Sequence, residues 1–226
     1  MGNVGLLLVG VVLLVNGLVT LSVVPERSAA LLNIFVGTAQ VVLPTIILVQ
    51  HGADAGVVNG TWPSYLFGFT YLYYGLGIFL KLEPQGLGWF SSFVAAIAAY
   101  EALITVGSDP VFAVIWLTWA IMWSLFFLLM ALGRGELARF TGWFLVLLGV
   151  PTCTVSAIFL LEGRWTSAAS AGWAALGALL ALSALSWRLA RSGLARATAD
   201  RADDGTAVAH VSAGADVRAA TGPVPA

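Results

Sequence analysis

Trp116, Trp119 and Trp123 are spaced three and four residues apart, so on a helix they share one face within roughly 60°. Each indole offers a flat apolar surface and a single N–H donor. Pointed at lipid, that donor would go unsatisfied, which leaves a tryptophan deep in an apolar run two uses. Either it packs between helices with its N–H on a carbonyl, or several together wall a rigid slot. Tyr65, Phe69 and Tyr73 supply a second aromatic face at i, i+4 and i+8. Val9, Leu13 and Asn16 fall on one side of a third helix. A buried amide without a partner is costly, so Asn16 either joins helices or offers hydrogen bonds to a passing solute. Asn33 and Gln40 raise the same question and fit helix joining better. Flat aromatic walls with a few amides and hydroxyls suit a planar, neutral, hydrogen-bonding solute. A desolvated ion would need rings of carbonyls or charges instead.

Glu101 is the clear acid inside an apolar run. An acid at that depth marks a functional position, unless the helix ends early enough for the carboxylate to reach the headgroups. Other chemistry is poorly supplied. His51 and His210 are the two histidines, and neither lies at a spacing that suits a metal. The chain shows no nucleophile elbow, phosphate loop or dinucleotide fingerprint, so no catalytic residue, metal or cofactor is expected, and transport or a structural role remains. The single cysteine, Cys153, sits in an apolar run and reads as small core filler.

The elements that must position these residues are set by composition. Of 226 residues 60% are hydrophobic and 9% charged, a balance that needs a solvent other than water. A bilayer core about 30 Å thick takes roughly 20 apolar helical residues, and backbone groups in lipid must pair within their own segment. The expected fold is therefore all-α and membrane-embedded. Seven spans are expected, at 4–24, 28–50, 64–82, 89–107, 111–132, 140–161 and 167–189, separated by Gly, Pro, Asn and charged turns. The first run, Gly5 to Val24, has no Lys or Arg before Arg27 and reads as a retained span rather than a secretory signal.

With the N-terminus outside, seven spans put Arg27, Lys81, Arg134, Arg139, Arg188, Arg191, Arg196, Arg201 and Arg218 inside and leave Arg164 outside, which fits the positive-inside rule. The expected domains are a channel core over 1–162, a seventh span within 163–191, and a disordered cytoplasmic tail over 192–226 rich in Ala, Gly, Thr and Asp. A net charge of −1 gives no reason to expect a nucleic-acid partner.

Three stretches carry a family resemblance: Leu66-Phe67-Gly68-Phe69-Thr70-Tyr71-Leu72-Tyr73, Ile115 to Trp123, and Arg139-Phe140-Thr141-Gly142-Trp143. With the opening Val-Gly-Val-Val-Leu-Leu-Val-Asn-Gly, residues 1–162 resemble the AmiS/UreI family of urea channels and short-chain amide transporters. The resemblance implies six-helix protomers in a hexameric homo-oligomer in the cell membrane, each protomer with its own pore. By resemblance, Phe69, Tyr73, Trp119 and Trp123 would form aromatic constrictions, and Val9, Leu13 and Asn16 would line the pore.

Two departures stand out. Urea channels of the family carry a glutamate before a glycine in the sixth span, where this chain has Leu148 before Gly149. Glu101 is a candidate replacement. Acid-activated members also have histidine-rich outer loops, whereas His51 is the lone histidine expected in these, so little or no acid gating is expected. Both departures lean from urea toward a short aliphatic amide. A passive facilitator leads; a proton-coupled importer using Glu101 and a non-transporting scaffold remain open.

Overall fold

The computed structural model describes residues 2–192, and every regular element among them is helical. The helices are α1 (Gly2–Thr20), α2 (Glu26–His51), α3 (Ala55–Thr61), α4 (Pro63–Leu80), α5 (Gln85–Thr105), α6 (Pro110–Met130), α7 (Ala138–Gly149), α8 (Ser156–Leu161) and α9 (Ala169–Arg191). A π-helical segment, Val150–Val155, joins α7 to α8 and makes them one long bent span. Pro151 sits in it and lacks the N–H that a regular turn would need. The seven expected spans are all present, with ends shifted by a few residues. The expected tail, from residue 193 onward, lies outside the described residues.

Six of these helical stretches are long and apolar enough to cross a membrane. The seventh, α4, is an 18-residue helix whose hydropathy is diluted by Tyr65, Tyr71, Tyr73 and Tyr74. The helix with the weakest lipid signal is thus the one richest in hydroxyls. The short α3 is a feature the turn signals did not suggest. Asp54 caps it, its carboxylate accepting from the N–H groups of Gly56 and Val57 at 2.7 and 3.1 Å.

The helices close into a ring. Neighbours pack in the order α1, α2, α4, α5, α6, α7 and back to α1, while α9 lies outside against α6 and α7. Glycines set the closeness. A Cβ at Gly37 of α2 would lie 2.8 Å from the Leu72 backbone N and 2.9 Å from the Gly68 carbonyl of α4. Gly17 of α1 faces the Gly142 carbonyl of α7 at 2.8 Å in the same sense. In lipid, where apolar burial between helices gains little, such backbone approach is what helix packing depends on.

α1 and α2 are tied by a reciprocal amide pair. Asn16 Nδ2 donates to Asn33 Oδ1 at 2.9 Å, and Asn33 Nδ2 donates back to Asn16 Oδ1 at 2.7 Å. Asn33 also donates to the Ala29 carbonyl at 3.0 Å. The pair satisfies both buried amides against each other, so Asn33 joins helices as its position suggested. Cys153 is fully buried, as expected of core filler.

The ends of the ring differ in charge. Arg27, Lys81, Arg134, Arg139, Arg188 and Arg191 lie at or beside the helix termini on one side, and Arg164 lies on the other. These are called below the basic end and the far end.

Candidate functional site

The ring interior is filled by aromatic side chains from α6 and α4, two helices that are not ring neighbours. On α6 the inward stripe is Phe112, Trp116, Trp119, Trp123, Phe126 and Met130, a run of three- and four-residue steps. Phe67 of α4 reaches across to meet it. Its ring lies flat on Trp123, with centroids 4.7 Å apart and planes 13° from parallel. The same ring stands edge-on to Trp119 at 5.1 Å and 80°, and tilted to Trp116 at 5.9 Å. Trp116 and Trp119 meet edge to face at 5.0 Å. Stacked and edge-on contacts of this kind hold rings in fixed orientations, so the plug is a rigid slot rather than a loose filling.

Trp119 and Trp123 are each 2% exposed, and Val9 and Leu13 are as deeply buried on α1. Trp119 Nε1 donates to the Thr152 hydroxyl at 3.3 Å, which itself donates to the Leu148 carbonyl at 2.6 Å. The polar atom that this long span offers beside Trp119 is therefore Thr152, one turn beyond Leu148. Leu148 is buried and apolar, and Gly149 next to it faces Leu13.

Phe69 and Tyr73 do not join this group. They are 48% and 36% exposed, Phe69 on the outer side of α4 and Tyr73 against the vestibule at the basic end rather than in the plug. Two residues along a helix is a rotation of about 200°, so the faces Phe67–Tyr71–Tyr74 and Phe69–Tyr73 point oppositely. The inward aromatic residues of α4 are Phe67, Tyr71 and Tyr74, and the assignment of Phe69 and Tyr73 to the constriction is corrected accordingly. Tyr65 stays with Phe69 on the outer side, its hydroxyl 2.8 Å from Thr45 Oγ1.

On the basic side of the plug lies a small chamber of about 30 Å³, lined by Asn16, Thr20, Thr70, Tyr71, Tyr74, Leu87, Ser91, Phe126 and Met130. That is room for a water or two. Its hydroxyls have a defined sense. Thr20, Thr70 and Ser91 each donate to a carbonyl one turn back, at 2.8 Å, so toward the chamber they present lone pairs. One donor is left over in the chamber wall and a second in the plug. The Tyr71 hydroxyl and Trp123 Nε1 are buried and have no hydrogen-bond partner among the described residues. A buried donor without an acceptor is costly, so the Tyr71 hydroxyl in the chamber wall is a place where a guest acceptor would be stabilising. The chamber opens toward a larger vestibule of about 520 Å³ at the basic end, which shares Tyr74, Leu87 and Met130 with it and carries Glu26, Arg27, Lys81 and Glu83.

Glu101 lies elsewhere. Leu87, Ser91, Val94 and Ala98 form the inward stripe of α5, and Glu101 continues it at the far end, half-buried. It makes no ion pair among the described residues. It stands one turn from the end of α5, at the far end of the ring. His51 is exposed at the end of α2, and among the described residues no three His, Cys, Asp or Glu side chains gather as metal ligands.

Thr152, Phe67 and Tyr71 are among the interior residues that sequence reasoning did not single out. The Thr152 signal, four residues past Leu148, was masked by the π-helical segment, which shifts the face of every residue after Gly149.

The AmiS/UreI family transporter profile matches residues 1–164. The AmiS2 protein of Rhodococcus erythropolis is 54% identical over 194 residues, covering 84% of this chain and 93% of that protein. The acid-activated urea channel of Helicobacter pylori strain J99 is 29% identical over 190 residues, covering 71% and 97%. The cryo-electron microscopy structure of the Helicobacter pylori urea channel in its closed state superposes with a TM-score of 0.66 at 29% identity, covering 74% of this chain and all of that one. The family profile spans the ring and stops before α9, and the 84% of the chain shared with the Rhodococcus protein reaches into α9: the chain is a multi-pass membrane protein of the AmiS/UreI family of transporters.

Proposed function

We propose that the ring interior is a passive path for small neutral amides, short aliphatic amides and urea, with the Phe67–Trp123 contact as its narrowest point. The observation that carries this reading is the chamber beside the plug. Its unpartnered Tyr71 hydroxyl matches a solute carbonyl, and its three hydroxyl lone pairs match an NH₂ group. A planar amide fits flat between indole and phenyl faces, as an ion would not. Leu148, Phe126 and Met130 are apolar surfaces where a small alkyl group can lie, which favours an amide over urea.

The supported assembly is a homo-oligomer, a hexamer by likeness to the urea channel, in the plasma membrane. Outer-face aromatics such as Phe69, Trp89, Phe93 and Trp173 are exposed on the single protomer, where lipid or a second copy covers them. The concentration of arginines at one end supports a cytoplasmic basic end and an N-terminus outside.

Tyr71→Phe tests the chamber. The loss of one donor, worth roughly 1 kcal/mol, is expected to slow acetamide flux in proteoliposomes about fivefold while leaving the ring packed. Unchanged flux would remove the Tyr71 hydroxyl as a solute ligand.

A further inference from the structure

Trp165 lies in the linker 162–168 between α8 and α9, in which every other residue is exposed. Its ring instead packs against the aromatic core. The linker turns sharply to bring it there. Gly163 adopts φ +66°, and the N–H of Arg164 reaches back to the Phe159 carbonyl at 2.9 Å, a helix-ending geometry that needs a left-handed residue.

Two contacts then fix the indole. Its Nε1 donates to Asp109 Oδ2 at 2.6 Å, while Asp109 Oδ1 accepts from the Phe112 N–H at 2.9 Å as the cap of α6. One carboxylate thus holds both the start of the Trp-bearing helix and the linker residue. The indole also stands edge-on to Phe112, at 5.7 Å and 71°. Phe112 is the first residue of the inward stripe of α6 and meets Trp116 and Trp119 edge-on at 6.3 and 6.1 Å.

We propose that Trp165, clasped by Asp109 and seated on Phe112, is a lid at the far mouth of the ring that limits the size of the solute admitted to the path. The inference rests on the conduction reading above. At the far mouth the inward stripe of α5 ends in the small Ala98 and the half-buried Glu101, so bulk there has to come from elsewhere. A bulky indole laid over Phe112 narrows the mouth. Among the described residues the aromatic ring that Trp165 pairs with is Phe112, and neither Phe67 nor Trp123, so its removal widens entry and leaves the Phe67–Trp123 slot in place.

The test is flux of urea and butyramide in proteoliposomes holding the full chain. Trp165→Ala is expected to raise butyramide flux about tenfold relative to urea flux. Asp109→Asn provides the second variant. Its amide oxygen can keep the cap on Phe112, but its NH₂ would then face the indole N–H, donor against donor, and release the clasp. It is expected to shift the ratio in the same direction, by less. Trp165→Phe, which keeps a ring and loses the donor, is expected to resemble Asp109→Asn. An unchanged butyramide-to-urea ratio in Trp165→Ala overturns the lid. Where that variant does not assemble, an unchanged ratio in both milder variants overturns it. If the wild type itself conducts neither solute, the conduction reading fails and the lid falls with it; a conducting wild type with unaltered ratios in the variants sinks the lid alone.

Discussion

Phe67→Ala is expected to raise propionamide flux relative to urea flux by roughly a hundredfold, whereas Phe69→Ala is expected to leave the ratio within about twofold of wild type. Phe67 is the one α4 ring that crosses the interior to lie flat on Trp123, and the indoles around it are held edge-on by one another. Rigid neighbours do not collapse into the space that a lost ring leaves, so the cavity persists as a wider slot. A close-fitting apolar slot discriminates one methylene by about 10–200-fold, and loss of the whole ring should remove discrimination of that order. Phe69 sits on the outer face, where its removal changes only a surface. The cavity will also destabilise the fold by about 3–5 kcal/mol, so flux is to be normalised to protein that elutes as the assembled oligomer. A large effect at Phe69 and none at Phe67 would mean that α4 turns the other face inward.

Gly37→Leu is expected to abolish assembly or cost about 3 kcal/mol or more, read as loss of the monodisperse peak and an earlier thermal aggregation onset in detergent. The atoms that a side chain would strike are the backbone N of Leu72 and the carbonyl of Gly68, neither of which can rotate away. On the partner helix the contact is reciprocal. A Cβ at Gly68 would lie 3.1 Å from the Gly37 carbonyl, and one at Gly75 would lie 2.7 Å from the Ala30 carbonyl. Leucine at Gly37 must therefore push α4 away from α2 and pull Phe67 out of the plug. Gly77→Leu on the same helix is the control: a Cβ there meets nothing within 4 Å, and the variant should assemble as wild type does. Equal stability of the two variants would contradict a backbone-to-backbone α2–α4 contact.

Much of this architecture is legible in the chain because its determinants are local. Runs of Leu, Val and Ile interrupted by Pro, Gly and charge place seven spans to within a few residues. The α6 stripe follows from the three- and four-residue spacing of its tryptophans. The phase of α4 is not legible in the same way. Its aromatic residues at 65, 67, 69, 71, 73 and 74 cover both faces, so periodicity cannot choose between Phe67–Tyr71 and Phe69–Tyr73. What decides is the tertiary contact: Gly68 and Gly75 must face α2, and that rotation carries Phe67 inward. Thr152 was hidden for a different reason, since the π-helical segment breaks the period on which its face would be reckoned. Glu101 was visible as an acid in an apolar run, but only the ring shows that its depth is that of the far mouth.

Passive conduction of small neutral amides through the ring is the property on which the proposed function stands. Its most direct test is stopped-flow light scattering on proteoliposomes that hold the wild-type protein under an inward urea or acetamide gradient, with and without a protonophore. Passive conduction gives a fast volume recovery, proportional to the gradient and indifferent to the protonophore. Recovery no faster than in protein-free liposomes, or uptake that collapses when the protonophore is added, would contradict it.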